Sequence, residues 1–188
     1  MLPRHFYTWE QRKLGEALAS IKDGTHGTHK DVTNGPLLLS AKNIKDGKVL
    51  WDNSDRRISE TDFNKIHSNY SLESGDVLLT IVGSIGETAI YKQQPEEITF
   101  QRSVAFLRPK KEILSNFLYS EIQTSYFQKE LDLRKSISAQ PGIYLGELSE
   151  IPFSYPQKIS EQQKIGEFFF KLDNLIPLHQ RESIFQKY

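Results

Sequence analysis

Short apolar runs alternate with polar turn residues through the first hundred residues, which predicts strands rather than long helices. Val77–Val82 is an apolar run interrupted only by Thr80, Gly83–Gly86 makes a turn, and Thr88–Tyr91 predicts the returning strand. Pro36–Ala41 and Ser103–Leu107 predict two more strands. This half of the chain is therefore predicted to form a sheet.

Local signals place two helices and a hairpin among these strands. Lys13–Ile21 has leucine and isoleucine at helical intervals and predicts a short helix. Asp46 and Gly47 are typical of a hairpin turn. Ser59 is a favourable N-cap for a second short helix, with Asp62 in its first turn.

After residue 114 the apolar spacing changes to three and four, which predicts helices. Ser115 is the predicted cap of a helix over residues 115–131. A Pro-Gly pair then interrupts the pattern, and a short helical turn precedes an edge strand that ends at Pro156. Ser160 and Gln163 form a capping-box pair at the start of the last helix.

This last segment, Ser160–Tyr188, would span roughly 40 Å as a helix. Pro177 predicts a kink, or an end of the hydrogen-bonded run near Asp173. Its apolar stripe predicts an interaction surface of the coiled-coil type. The stripe consists of Ile165, Phe168, Phe169, Leu172, Leu175 and Ile176. The predicted fold is α+β: a strand-rich domain over residues 1–158 and a long protruding helix over residues 159–188.

Composition narrows the class of protein. The 188 residues carry 24 basic and 24 acidic side chains, 37% apolar residues and no cysteine. Disulfides, thiolate-bound zinc and a cysteine nucleophile are therefore excluded. Apolar runs are too short to span a membrane, and charges lie where a signal peptide would be apolar, so we expect a cytoplasmic protein. Residues 1–50 hold eight basic and five acidic side chains, and this local excess permits a DNA partner.

Signals for catalysis are weak. Gly83–Gly86 lacks the Lys-Ser/Thr pair of a phosphate-binding loop, and no G-x-S-x-G nucleophile motif is present. His26 and His29 lie near Asp31, but a third strong metal ligand is missing. The sequence therefore predicts no catalytic residue and no metal ligand, although a metal-dependent nuclease that uses the two histidines remains an alternative.

Signals for DNA binding are better. A polar loop rich in Gly, Thr and His offers hydroxyl, imidazole and ammonium groups, which contact phosphates and base edges. Gln101 suits adenine and Arg102 suits guanine through paired hydrogen bonds. The candidate DNA-binding residues are Lys22, Thr25, His26, Thr28, His29, Lys30, Lys42, Asn43, Arg56, Arg57, Gln101, Arg102, Lys135 and Ser136. Lys22, Lys30, Lys42 and Lys135 are predicted to contact phosphates, and Thr25, His26, Gln101 and Arg102 to contact bases.

Seven segments, in this order, resemble the DNA-specificity subunit of type I restriction–modification systems. They are Trp9–Glu16, Asp23–His29, Leu37–Val49, Ser74–Tyr91, Thr99–Pro109, Gln140–Pro156 and Ser160–Glu182. The resemblance implies a target recognition domain followed by the start of a spacer helix, with no catalysis and no cofactor in this chain. It also implies modification subunits that methylate adenine with S-adenosylmethionine, and a restriction subunit that uses ATP and magnesium to cleave DNA.

The chain departs from this family in three ways. Members typically carry two recognition domains, so we expect either a half-length subunit or a fragment. Members commonly have proline where His29 stands and a small residue where Pro177 stands.

The expected partners are double-stranded DNA, modification and restriction subunits, and a second copy of the chain through the helix. A relic adaptor that binds only proteins is the other alternative.

Overall fold

The computed structural model describes residues 9–136, 139 and 141–185, and the side chains of the last helix as far as Asp173 and at Leu175. The strands are β1 (Trp9–Lys13), β2 (Leu18–Asp23), β3 (Leu37–Leu39), β4 (Ile44–Lys45), β5 (Lys48–Val49), β6 (Val77–Thr80), β7 (Thr88–Ile90), β8 (Ile98–Phe100), β9 (Val104–Pro109) and β10 (Pro152–Pro156). The helices are α1 (Leu14–Ala17), α2 (Glu60–His67), α3 (Ser115–Ile122), α4 (Ser125–Leu133), α5 (Leu145–Ser149) and α6 (Ile159–Phe185).

A four-stranded antiparallel sheet, in the order β2-β9-β6-β7, lies at the centre of the domain. Both of its faces are covered: Val77 and Leu79 pack into one hydrophobic core, and Leu78 packs into a second core behind the sheet. Because side chains alternate along a strand, a strand buried on both faces needs apolar side chains on both. The one polar side chain of β6, that of buried Thr80, donates its hydroxyl to the Ser84 carbonyl. Burial on both faces explains the apolar run that begins at Val77.

Three smaller pairings complete the strands: β1 with β10, β3 with β8, and β4 with β5. The β3–β8 pair is parallel, and the other two are antiparallel. In the β4–β5 hairpin, Asp46 (φ 51°) and Gly47 (φ 73°) both adopt the left-handed conformation that favours such turns. The predicted hairpin is therefore confirmed.

Helix α2 also follows its prediction. The Ser59 hydroxyl accepts a hydrogen bond from the Asp62 N–H (3.1 Å), as an N-cap should. Phe63 and Ile66 on its buried face pack with Leu38 and Ile58 in a small third core. The mixed helix-and-strand architecture agrees with the predicted α+β class.

Two predicted helices were wrong in extent. The helix expected over residues 13–21 is limited to α1, and the chain from Leu18 is strand β2, whose pairing with β9 satisfies its backbone hydrogen bonds. The helix expected over residues 115–131 divides at Thr124, which has an extended backbone and caps α4 by accepting from Phe127 N–H (3.2 Å). Ser115 is not a cap, because its hydroxyl donates to the Gly75 carbonyl (2.6 Å).

Helix α6 continues through Pro177 to Phe185, so the end predicted near Asp173 is wrong. Its first turns pack tightly on the domain. A Cβ at Gly166 would lie 2.8 Å from backbone atoms at Asn116 and Phe117, so only glycine permits this approach of α6 to α3. The start of α6 coincides with the predicted boundary after residue 158, but the division into two parts stays a prediction.

Gln162 joins α6 to the body of the domain by three hydrogen bonds. Its side chain is fully buried, donates to the carbonyls of Glu112 and Pro156 (both 2.9 Å), and accepts from Leu114 N–H (2.9 Å). Gln163, the glutamine of the predicted capping box, is exposed and reaches only Glu167 (2.9 Å).

Within the described part of the chain, none of the helices combines the length and the apolar character that crossing a membrane requires.

Replacing Gln162 tests the attachment of α6. Gln162→Leu leaves three backbone groups without partners in the interior, so we expect the free energy of unfolding to decrease by about 2 to 5 kcal/mol. Urea denaturation followed by circular dichroism measures this loss. Gln163→Leu is the matched control and should change stability by less than about 0.5 kcal/mol. Equal losses in the two variants would contradict this role for Gln162.

His67 gives the domain a specific dependence on pH. Its ring packs on Phe63 (centroids 4.0 Å apart), and burial lowers its pKa, an effect that Glu97 opposes only in part. Because the folded state binds this proton less readily than the unfolded chain, stability is lost as the pH falls below about 6.5. In His67→Leu this contribution is absent. Urea titrations at about pH 7.5, 6 and 5 should show the variant gaining relative to the parent at acid pH, whereas parallel curves would refute the assignment.

Candidate nucleic-acid interface

The turn between β8 and β9 is fixed by three backbone hydrogen bonds to distant segments. Gln101 N–H donates to Leu39 O (2.8 Å), and Arg102 N–H donates to Thr25 O (3.1 Å). The carbonyl of Ser103 accepts from Ile81 N–H (2.9 Å). The turn therefore holds its side chains in a defined place.

The polar loop after β2 packs directly against this turn. Gly24 N–H donates to Val104 O (3.1 Å), and Thr25 N–H donates to Phe100 O (2.8 Å). A Cβ at Gly24 would lie 2.1 Å from Phe100 O, which leaves no room for any other residue. The Thr25 hydroxyl also accepts from Gly27 N–H (3.1 Å) and bends the loop back on itself.

The two histidines of this loop have different environments. His26 is exposed, and its Nε2 lies 2.7 Å from the Asp23 carboxylate, which orients the ring. The His29 side chain is only 9% exposed, with Nε2 at 2.9 Å from the Thr25 hydroxyl and Nδ1 at 3.5 Å from Asp62. His29 therefore supports the loop from inside, and its role as a DNA contact stays a prediction.

Asn43, another predicted DNA contact, is buried. It is 4% exposed, accepts from Ser40 N–H (3.0 Å), and donates to Leu50 O (2.9 Å) and the Asp55 carboxylate (3.0 Å). These hydrogen bonds support the turn that precedes β4. The sequence suggested a surface donor because the buried partners of Asn43 are not visible in it.

Neighbouring Lys42 stays at the surface, where its ammonium lies 2.8 Å from Asp55. Burial raises the pKa of Asp55, but hydrogen bonds from Lys42, Asn43 and the Asp52 N–H outweigh this effect and lower it overall. The hydrogen bond to Asp55 raises the pKa of Lys42. Lys42 therefore remains a cation, although one that is already paired.

Arg102 is the exposed arginine that lacks an intramolecular partner for its side chain. Among the arginines whose side chains the structure describes, its guanidinium alone makes neither a hydrogen bond nor an ion pair. The others pair as Arg12–Glu10, Arg56–Asp31, Arg57–Glu96, Arg108–Asp76 and Arg134–Glu130. A ligand can therefore bind the Arg102 guanidinium without breaking an existing ion pair.

Half of the predicted residues meet in one depression of about 230 Å³, which we call the reading depression. Those seven are Thr25, His26, Thr28, His29, Arg56, Gln101 and Arg102, and Gly27 and Leu38 complete the lining. Arg56 supports the loop rather than facing outward freely, since it donates to His29 O (2.8 Å) and pairs with Asp31 (2.6 Å).

The other predicted residues lie elsewhere. Lys22 is on β2 beside Tyr70 and Arg108, and Lys30 is exposed just after the loop. The Arg57 guanidinium donates hydrogen bonds to Glu96 and to Gly35 O, and Lys135 forms an ion pair with Asp132. Ser136 lines an adjoining cleft together with His26 and Arg102.

Two residues that the sequence analysis missed belong to this region. Asp23 orients His26, and Tyr144, which is 74% exposed, lies on the adjoining cleft. Tyr144 is a single residue with an extended backbone just before α5, and it gives no periodic signal that could have identified it. Asp23 precedes the loop, and next to Gly24 it resembles an ordinary turn residue in the sequence.

The geometry of the histidines bears on metal binding. His26 and His29 bond to different partners, Asp23 and Thr25. Within residues 9–136, 139 and 141–185, no group of three or more His, Asp or Glu side chains is arranged to hold a metal ion.

Helix α6 divides its predicted stripe between two environments. Ile165 packs against the core, whereas Phe168, Phe169, Leu172 and Leu175 are exposed. The side chain of Ile176 lies outside the described residues. The third phenylalanine of the run, Phe170, faces inward, with its ring 5.8 Å from that of Tyr119.

Several known proteins are similar to this chain. A curated relative, the type I restriction enzyme MjaVIII specificity subunit of Methanocaldococcus jannaschii, is 29% identical over 181 residues, which are 93% of this chain and 42% of the relative. The S subunit of a type I restriction–modification system from M. genitalium matches the whole chain and 45% of its own length, with a TM-score of 0.64 and 16% identity. The HsdS subunit from Thermoanaerobacter tengcongensis matches 93% of this chain and 39% of its own, with a TM-score of 0.59 and 18% identity.

The chain thus spans less than half the length of the relatives that it matches. The model of one protein family, described as the type I restriction modification DNA specificity domain, matches residues 8–184. The chain therefore belongs to the type I restriction–modification DNA specificity domain family.

Proposed function

We propose that this chain is a non-catalytic module that reads one half of a bipartite double-stranded DNA target for a type I restriction–modification system. The reading depression would face the major groove, where each base pair presents a distinct pattern of donors and acceptors. Arg102 carries this proposal, because it is an exposed, unpaired guanidinium held by a turn that is anchored on both sides.

Base contacts are assigned to four side chains in and beside the turn. Arg102 suits guanine, Gln101 suits adenine, and Thr25 and His26 offer further hydrogen bonds at the rim. Asp23 holds the His26 ring through Nε2, so Nδ1 is the atom left to face the groove. The backbone anchors restrict the loop and the turn, so little conformational entropy is lost on binding.

Phosphate contacts are assigned to four lysines outside the depression. Lys22 and Lys30 are exposed, and Lys42 and Lys135 would exchange their carboxylate partners for phosphates. Such contacts set the orientation on the duplex without reading its sequence. They also make affinity fall with salt, since bound counterions are released.

The reactions are assigned to partner subunits. Modification subunits would methylate adenine with S-adenosylmethionine, and a restriction subunit would cleave DNA with ATP and magnesium. Another solved structure concerns the complex assembly of the type I R-M system. It matches 95% of this chain with a TM-score of 0.62 and 16% identity. The family supports the assignment of this chain to such an assembly. We expect that assembly to act in the cytoplasm.

The exposed stripe of α6 is assigned to helix pairing. Phe168, Leu172 and Leu175 follow the spacing of four and three that a coiled-coil seam requires. The partner helix would come from a second copy of the chain or from a second spacer in a longer subunit. A symmetric pair of copies would read a palindromic, interrupted target.

Two other functions make different predictions. A metal-dependent nuclease would retain stoichiometric metal after dialysis and cut DNA without partners. A relic adaptor would bind protein partners but would fail to bind random duplex DNA even at low salt. The family and the unpaired Arg102 favour DNA recognition over both.

Substitutions in the turn test sequence recognition. On a site selected from random duplexes, Arg102→Ala and Gln101→Ala should each weaken binding about 5- to 100-fold and relax preference at one base pair, because a bidentate base contact contributes about 1 to 3 kcal/mol. Fluorescence anisotropy with matched and mismatched duplexes measures both effects.

Two controls separate base reading from charge. Arg12→Ala removes an arginine on β1 and should leave affinity and preference unchanged. Lys30→Ala should weaken all duplexes alike and make the salt dependence less steep. If Arg102→Ala behaved like Lys30→Ala, the base contact would be refuted.

Helix pairing has its own test. Phe169→Asp places a charge in the exposed stripe and should shift a dimer to monomers in sedimentation velocity. Lys164→Asp, on an exposed position of the same helix, should leave the dimer unchanged. An identical monomer in the parent and both variants would refute pairing between copies of this chain.

A further inference from the structure

A second cleft, of about 400 Å³, adjoins the reading depression and shares His26 and Arg102 with it. We call it the apolar cleft, because four aliphatic side chains line it: Ile81, Val82, Ile143 and Leu145. Arg102 and His26 form the ridge between the two concavities. A duplex that placed a base edge against Arg102 would therefore bring a neighbouring base pair close to the apolar cleft.

The wall of the apolar cleft is built before any ligand arrives. Ile143 N–H donates to Ile81 O (2.9 Å), and Gly142 and Val82 form an isolated antiparallel bridge. A Cβ at Gly142 would lie 3.2 Å from the Val82 side chain, so the two segments are in close contact. The cleft is therefore attached to the end of β6 by backbone hydrogen bonds.

The lining combines these aliphatic side chains with four polar ones, Asp23, His26, Arg102 and Ser136. Ile81 and Ile143, both 3% exposed, form its base, and Val82 and Leu145 are partly exposed beside them. Tyr144 is 74% exposed on the rim, although an aromatic ring favours burial. An apolar surface that borders an unpaired arginine suits a ligand that offers a small apolar group next to hydrogen-bond acceptors.

Base pairs expose hydrogen-bond donors and acceptors in the major groove, and thymine adds an apolar group, its 5-methyl. We infer that the apolar cleft takes this methyl group, at a base pair next to the one that Arg102 contacts, with Val82 and Tyr144 as its contacts. The inference rests on the proposed function and adds to it a preference for thymine. Tyr144 and Val82 are then specificity-determining residues, beside the hydrogen-bonding set in the reading depression.

Uracil scanning tests this inference. In a duplex selected from a random library with the 188-residue chain, each thymine is replaced in turn by deoxyuridine, which removes only the methyl group. We expect one or two adjacent positions at which the replacement weakens binding about 3- to 10-fold, as the loss of one buried methyl should.

Variants of the cleft complete the test. In Val82→Ser, which removes both methyl groups of the side chain, and in Tyr144→Ser, the preference for thymine over uracil at that position should be lost. Tyr126→Ser, an exposed tyrosine on α4, is the matched control and should keep the parent's preference for thymine. Unchanged melting temperatures in all three variants exclude unfolding as the cause.

The outcomes are distinguishable. A selected duplex that binds tightly while every uracil replacement is neutral overturns the inference and leaves the proposed function intact. The same holds if the preference for thymine survives in Val82→Ser and Tyr144→Ser, since another surface would then contact the methyl group. Failure of the chain to bind any duplex, even at low salt, would instead refute the proposed function itself.

Discussion

The backbone of the turn between β8 and β9 is hydrogen-bonded to the loop after β2, to the end of β3 and to the chain just after β6. These segments are separated by many residues, and none of them would hold a recognition surface by itself. The β2 loop is in turn held at Gly24, where any side chain would meet the carbonyl of Phe100. A polar loop and an arginine become one surface only because the sheet behind them fixes both.

The charges of the molecule follow the same principle. A net charge of zero would suggest poor affinity for DNA, but the described arginines other than Arg102 are each neutralised locally by a carboxylate. What matters for a groove-binding surface is the guanidinium that is left unpaired at the right place. Arg102 is the described arginine without such a partner, and it lies next to Gln101 where two concavities meet.

Helix α6 is more than an appendage joined by a flexible link. The buried amide of Gln162 and the close approach at Gly166 attach its first turns to the domain. Its exposed phenylalanines and leucines begin immediately beyond these contacts. A partner helix that binds this stripe would therefore be held at a fixed orientation to the reading depression, which is what a defined spacing between half-sites requires.

Sequence patterns alone determined the α+β class, the apolar strand β6, the β4–β5 hairpin and the Ser59 cap of α2, because each depends on neighbouring residues. The resemblance of seven ordered segments also led to the family. Tertiary structure decided what local pattern leaves ambiguous: Leu18 follows helical spacing but lies in a strand, since pairing with β9 satisfies its backbone. It also decided that Asn43 and His29 are buried, that Arg102 is unpaired and that Tyr144 is exposed. Burial and pairing are set by residues distant in sequence, which only the folded chain brings into contact.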